Sequence, residues 1–253
     1  VYNPSYVSIK DAALAHNPLY RSLYRYYELS TDRFADITLK NTAQEPLPVT
    51  VGIKVPTMTT AEKFYEEQVT LQPQSTTTIT MRVAFSDSVL LPESATYDRF
   101  IQPEVVVTYS QENEVKQASR QMQTTFILGK NKMTWDDPRR VASFIYPNHT
   151  SVVSFVDQVL ARHSDLVDRF PKIPNLAKAM LIFDTLGRMG INYNPDPSTP
   201  FYKISGDSTA AGSIADLVRY PPETFVAMGG DCDDLMVLYA SLLEAANVET
   251  AIL

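Results

Sequence analysis

The sequence holds a single cysteine in 253 residues, Cys232. One cysteine forbids an intramolecular disulfide, so the redox compartment cannot be read from it. Histidines number three, and all of them, His16, His149 and His163, precede that cysteine. Tryptophan occurs once, at Trp135. There is no basic patch interleaved with aromatics, and the formal net charge is −7 with an isoelectric point near 5.0. That balance argues against a nucleic-acid backbone or an anionic membrane surface as partner. No apolar run approaches the roughly 18 residues that span a bilayer, and Val1-Tyr2-Asn3-Pro4 has none of the marks of a signal peptide. Internal repeats and low-complexity tracts are also missing. With no initiator Met and an apolar triplet, Ala251-Ile252-Leu253, at its end, the sequence reads as a segment of a longer protein.

What is present first is a period of two. Ile37 and Leu39, then Val49, Val51, Ile53 and Val55, then Val69 and Leu71, then Ile79, Met81, Val83 and Phe85, then Val105, Val107 and Tyr109 alternate with polar residues. Turn-forming stretches separate these runs, such as Gln72-Pro73-Gln74-Ser75 and Gln111-Glu112-Asn113. Short strands at near-regular spacing over about 100 residues predict an antiparallel Ig-like β-sandwich, here without the cysteine pair and core tryptophan of antibody domains. Before it lies a tyrosine-rich arm with Tyr20, Tyr24, Tyr26 and Tyr27, expected to pack along the next domain. After it, residues 129–148 hold Trp135, Asp136-Asp137-Pro138 and Arg139-Arg140, expected as a structured connector. Asn148-His149-Thr150 matches a glycosylation sequon, a short pattern that carries little weight.

Helical spacing then takes over. Val152, Phe155, Val156 and Val159 predict one helix; Leu176, Met180, Phe183 and Leu186 predict a second, capped by Asn175 and closing at Gly187 to Gly190. Residues 191–212 read as turns and polar loop, and Pro221-Pro222-Glu223-Thr224 opens a short helix or turn. The expected class is α+β with two domains: an arm over 1–33, a sandwich over 34–128, a connector over 129–148 and a second domain over 149–253.

The chemistry concentrates in Gly229-Gly230-Asp231-Cys232-Asp233-Asp234, running into Leu235, Leu238, Tyr239, Leu242 and Ala246 at helical spacing. Asp231 is placed as N-cap, its carboxylate facing unpaired amides, and Cys232 as first helical residue. Because Cys232 lies three residues ahead of Leu235, it is expected at an edge where the helix meets the fold rather than in open solvent. A helix N-terminus lowers a thiol's pKa and can bind an oxyanion. Asp231, Asp233 and Asp234 oppose a thiolate unless capping or cationic partners occupy them. A plain capping role, with an inert cysteine, is the ordinary alternative. A Ca²⁺ site is another, though the glycine and terminal glutamate of a calcium loop are missing.

Tyr220-Pro221-Pro222-Glu223-Thr224-Phe225, Gly229 to Leu235 and Leu238 to Ala245, with the upstream Gly190-Ile191-Asn192-Tyr193 and Asp196-Pro197, closely resemble the bacterial transglutaminase-like family of the papain-like cysteine enzyme superfamily. The resemblance covers about 150 to 253. It implies the helical N-terminal half of a transglutaminase-like domain, with Cys232 as nucleophile and Gly230, Asp231, Asp233 and Asp234 shaping its helix N-terminus. It further implies a histidine and an aspartate on strands after that helix, no cofactor or metal, and a protein or peptide substrate. This chain holds no histidine after Cys232, so by itself it is expected to be catalytically incompetent. Multidomain envelope-associated proteins of Gram-negative bacteria look similar in layout, which implies an exported, periplasmic cysteine peptidase or acyltransferase. A non-catalytic scaffold binding envelope proteins is the rival expectation.

Overall fold

The computed structural model describes residues 5–29, 33–59, 65–83, 85, 87–90, 93–195 and 215–252. It is an α+β structure: antiparallel sheets in the N-terminal part, then a helical C-terminal region. Two compact units divide it, Val1–Lys130 and Asn131–Leu253.

In the first unit, β1 (Val7–Leu14) runs antiparallel to β3 (Ala35–Asn41), with a register irregularity between Ile9 and Asp11, and β3 pairs with β6 (Thr76–Met81). A four-stranded sheet has the order β5 (Tyr65–Leu71), β4 (Leu47–Lys54), β8 (Glu104–Gln111), β9 (Glu114–Gln121), all antiparallel. A third sheet joins β2 (Leu19–Tyr20), β10 (Thr125–Leu128) and β7 (Arg99–Ile101), with β2 parallel to β10. The period-two residues supply the interior: Ile37, Leu39, Val51, Ile53, Met81, Val105 and Val107 are all buried. Alternation works because successive strand side chains point to opposite faces. The β8–β9 hairpin turns on Glu112 and Asn113, both left-handed at φ 54° and 65°, the conformation that suits a two-residue turn between twisted strands.

Tyr20 and, from the short helix α1 (Tyr24–Leu29), Tyr24 and Tyr27 are core residues of this unit. Tyr27 lies edge-on to Phe34 at 5.4 Å and also contacts His16 at 5.2 Å. Arg21 is fully buried among them, donating to the Thr57 carbonyl at 2.7 Å and the Val89 carbonyl at 3.2 Å. Burial first, and Arg99 second, lower its pKa to about 10.

The second unit opens with β11 (Lys132–Met133), which pairs with β13 (Asp216–Leu217). A 3₁₀ turn over Pro138–Phe144 follows, its N-terminus capped by the Asp137 side chain accepting from the Arg139 N–H at 3.1 Å. Then come α2 (Thr150–Arg162), α3 (Ser164–Asp168) and α4 (Pro174–Met189). β12 (Asn192–Tyr193) runs parallel to β14 (Gly229–Gly230), with α5 (Pro221–Ala227) before β14 and α6 (Cys232–Ala245) after it. Val152, Val156 and Val159 from α2, Ile182 and Leu186 from α4, and Leu238 and Leu242 from α6 form one apolar core.

The second predicted helix starts two residues earlier than expected. Ile173 occupies the cap position and Pro174 the first turn, because proline's fixed φ and missing N–H suit that place better than Asn175 suits the cap. It ends as expected, on Gly190 at φ 86°. Its stripe divides, however: Leu186 and the intervening Ile182 face the core, whereas Leu176, Met180 and Phe183 are exposed. Among the described residues, no helix is long and apolar enough to cross a membrane.

Candidate functional site

The site is built around the N-terminus of α6. Gly229 and Gly230 form a short buried strand against Asn192 and Tyr193. A Cβ at Gly229 would overlap the Asn192 carbonyl oxygen, and one at Gly230 would overlap the Asp234 side chain. Only glycine lets the backbone pass this close. The pairing continues through hydrogen bonds from the Asn192 N–H to the Met228 carbonyl at 3.1 Å and from the Asn194 N–H to the Gly230 carbonyl at 2.8 Å.

Upstream, α5 is set by a capping exchange in which the Glu223 carboxylate accepts from the Tyr220 N–H at 2.9 Å. Glu223 also accepts from Asn131 Nδ2 at 2.6 Å. Downstream, three bonds fix α6. Tyr239 donates its hydroxyl to the Ala179 carbonyl at 2.9 Å, and Ser241 Oγ accepts from the Tyr146 N–H at 2.9 Å. Lys178 donates to the Ala246 carbonyl at 2.9 Å, a cation placed at the negative end of the helix. The first turn of α6 is thus held at both its approach and its body.

Asp231 takes the cap position with extended backbone, as expected, but its side chain accepts no capping hydrogen bond. Cys232 is the first residue of α6 and is exposed rather than tucked at a buried edge. The helix turns Asp233 and Asp234 inward, and Asp231, Asp233 and Asp234 are all buried. The inward and outward positions exchange because the buried stripe of Val237, Leu238 and Ser241 continues back through Asp233 and Asp234, four residues earlier in each case.

Asp234 and Asp233 are accommodated differently. Asp234 accepts from the Arg219 N–H at 2.6 Å through Oδ1 and from Arg219 Nη1 through Oδ2. Burial is the largest influence on its pKa and raises it, with Arg219 pulling the other way. Asp233 is pushed up to about 9, first by burial, then by a hydrogen bond with Asp231 and by the charges of Asp231, Asp216 and Asp234. It therefore keeps its proton at neutral pH. Asp231 Oδ1 and Asp233 Oδ2 are buried with no hydrogen-bond partner among the described residues. Nearby in this charge set, Asp216 Oδ2 accepts from Trp135 Nε1 at 2.7 Å.

The three carboxylates each offer an oxygen within 4.8 Å of the others. Both Asp234 oxygens are committed to Arg219, leaving two carboxylates where Ca²⁺ takes six to eight oxygens. The cysteine feels the same acids. Partial desolvation raises the Cys232 pKa, Asp233 and Asp231 raise it further, and the N–H groups of Asp233 and Cys232 pull it down. The expected helix-terminus activation is present in the backbone but is outweighed.

None of the histidines is a hydrogen-bond partner of Cys232 among the described residues. His149 caps α2, its Nδ1 accepting from the Ser151 N–H at 3.3 Å, and His163 ends the same helix. His16 belongs to the aromatic core of the first unit. Sequence reasoning named Gly230 to Asp234 but missed Arg219, Asp216 and Trp135. Arg219 stands 15 positions before Asp234, and no local pattern ties the two; Trp135 and Asp216 are 81 positions apart. Asp196-Pro197 lies outside the described residues. A scan against protein-family models found no match, and a search of the curated proteins found none either.

Proposed function

We propose that this chain carries the nucleophile helix of a transglutaminase-like cysteine peptidase or acyltransferase, with Cys232 as the attacking thiol. In this reading the first unit is an Ig-like β-sandwich and the second is the helical N-terminal half of the transglutaminase-like domain. The protein is exported and works in the envelope of a Gram-negative bacterium. The observation that carries the proposal is the position of Cys232: exposed, at the first residue of a helix whose body is buried and tethered. There the Cys232 and Asp233 N–H groups face the sulfur and can also hold the oxyanion of the tetrahedral intermediate that collapses to an acyl-thioester.

The chemistry would be acyl transfer. The thiolate attacks a carbonyl carbon, the leaving group departs with the displaced electron pair, and a thioester forms on Sγ for later attack by water or an amine. Proton transfer needs a base that none of His16, His149 and His163 supplies to Cys232 in this arrangement.

A second reading is favoured by the elevated thiol pKa and the acids that cause it: a non-catalytic scaffold that binds envelope proteins and keeps the fold for shape. Acylation by p-nitrophenyl acetate separates the two. If the helix terminus prepares the sulfur, native Cys232 acylates faster than the same chain unfolded in urea at equal thiolate fraction, and Cys232→Ser abolishes the adduct. Equal or slower acylation in the native state supports the scaffold.

A further inference from the structure

One face of α2 is left lining a groove with the C-terminal half of α4 and with Phe225 of α5. The cavity holds about 500 Å³. Its lining on α2 runs from Ser151 to Arg162 at successive helical turns, a length of roughly 16 Å at the α-helical rise. The floor is apolar: Phe155 and Phe225 contact at 5.4 Å between ring centres, and Val159 is buried beside them. The rim is polar, with Ser154 and Gln158 bonded to each other at 3.0 Å.

Charge distinguishes one end. Arg162 is exposed and makes no ion pair or side-chain hydrogen bond among the described residues. Of the acids on the flanking helices, Asp165 is paired with Arg169 and Asp184 with Arg188. In a chain of net charge −7, an uncommitted guanidinium at the end of an apolar trough selects an anion. The polar rim along the length suits a ligand with amide groups more than a bare hydrocarbon tail.

We propose that this groove binds an extended peptide of roughly five residues, the number that spans its length at about 3.3 Å each, with an apolar side chain on Phe155 and Phe225 and a carboxylate against Arg162. The site is separate from Cys232, which does not line it, and does not depend on the acyl-transfer reading. Peptide binding here gives the second unit a means of holding a protein segment whether or not the thiol reacts.

Fluorescence polarisation with a labelled Ala-Leu-Phe-Leu-Glu peptide tests it on the full chain. Saturable binding is expected, weakened about fivefold by Arg162→Glu, the size of an exposed ion pair of about 1 kcal/mol. A Lys-ended peptide should show the reverse preference for that variant. Ser154→Trp, an exposed position, should fill the trough and remove binding while leaving the circular dichroism spectrum unchanged. Absence of saturable binding overturns the proposal. Binding indifferent to both variants, or laurate binding at this site where the peptide does not, overturns it equally.

Discussion

Arg219 holds Asp234 from two directions, its main-chain N–H donating to one carboxylate oxygen at 2.6 Å and its guanidinium to the other. Asp234 is fully buried, whereas the Arg219 side chain remains 37% exposed. An unpartnered buried carboxylate is costly, so the pair matters more for what its loss leaves behind than for its own attraction. Arg219→Met should therefore destabilise the chain by about 2 kcal/mol, less than the usual figure for breaking a buried pair because the N–H contact survives. Urea denaturation measures this. An unchanged midpoint would mean that water replaces the guanidinium without cost.

Gly230 belongs to the same arrangement, because a Cβ there would fall on the Asp234 side chain. Gly230→Ala should cost about 1–3 kcal/mol by overpacking. Since both substitutions act on Asp234, their effects should fall well short of additive in a double-mutant cycle. Strict additivity would show that Gly230 is needed for some reason other than room for that carboxylate.

Strands β3, β4, β6 and β8 were legible because one face of each is buried, so Ile37, Val51, Met81 and Val107 stand out at every second position. Strand β9 was not: Glu114 to Gln121 is an exposed edge, where charged and polar residues on both faces erase the alternation. The helix at Cys232 was legible for the same reason as the strands. Its polarity was not. Periodicity placed Cys232 on the buried stripe, yet the structure puts Asp233 and Asp234 there, and nothing local reveals that Arg219 on Asp234 and a retained proton on Asp233 make buried acids tolerable.

Cys232 should be sluggish by itself. Desolvation and the neighbouring Asp233 and Asp231 hold its pKa above the 9.0 of a free thiol, so less thiolate exists at neutral pH than in the unfolded chain. Iodoacetamide alkylation of the native protein should rise with pH along a curve displaced upward from that of the urea-unfolded protein. Asp233→Asn removes the larger of the two acid contributions and, because Asp233 ionises only toward pH 9, should move the upper part of the curve back toward 9.0. If the native and unfolded profiles coincide, neither burial nor the acids raise the thiol.

The proton on Asp233 makes a sharper demand on stability. Its folded-state pKa, about 9, lies above the ordinary 3.8, the reverse of a salt-bridged carboxylate. Below 3.8 the group is protonated folded and unfolded alike, and its burial carries no pH-linked penalty. Between 3.8 and about 9 the unfolded chain releases this proton while the folded chain retains it, so the folded state binds more protons and stability falls as pH rises. Asp233→Asn keeps the shape, has no proton to release, and can donate its amide to the Asp231 carboxylate. The variant should lose that part of the slope and be more stable than the parent at pH 8. Urea unfolding at intervals from pH 5 to pH 8.5 reads the slope directly. Parallel curves for the two proteins would mean that Asp233 is ionised in the folded state, and that Asp231 and Asp233 find another way to lie side by side.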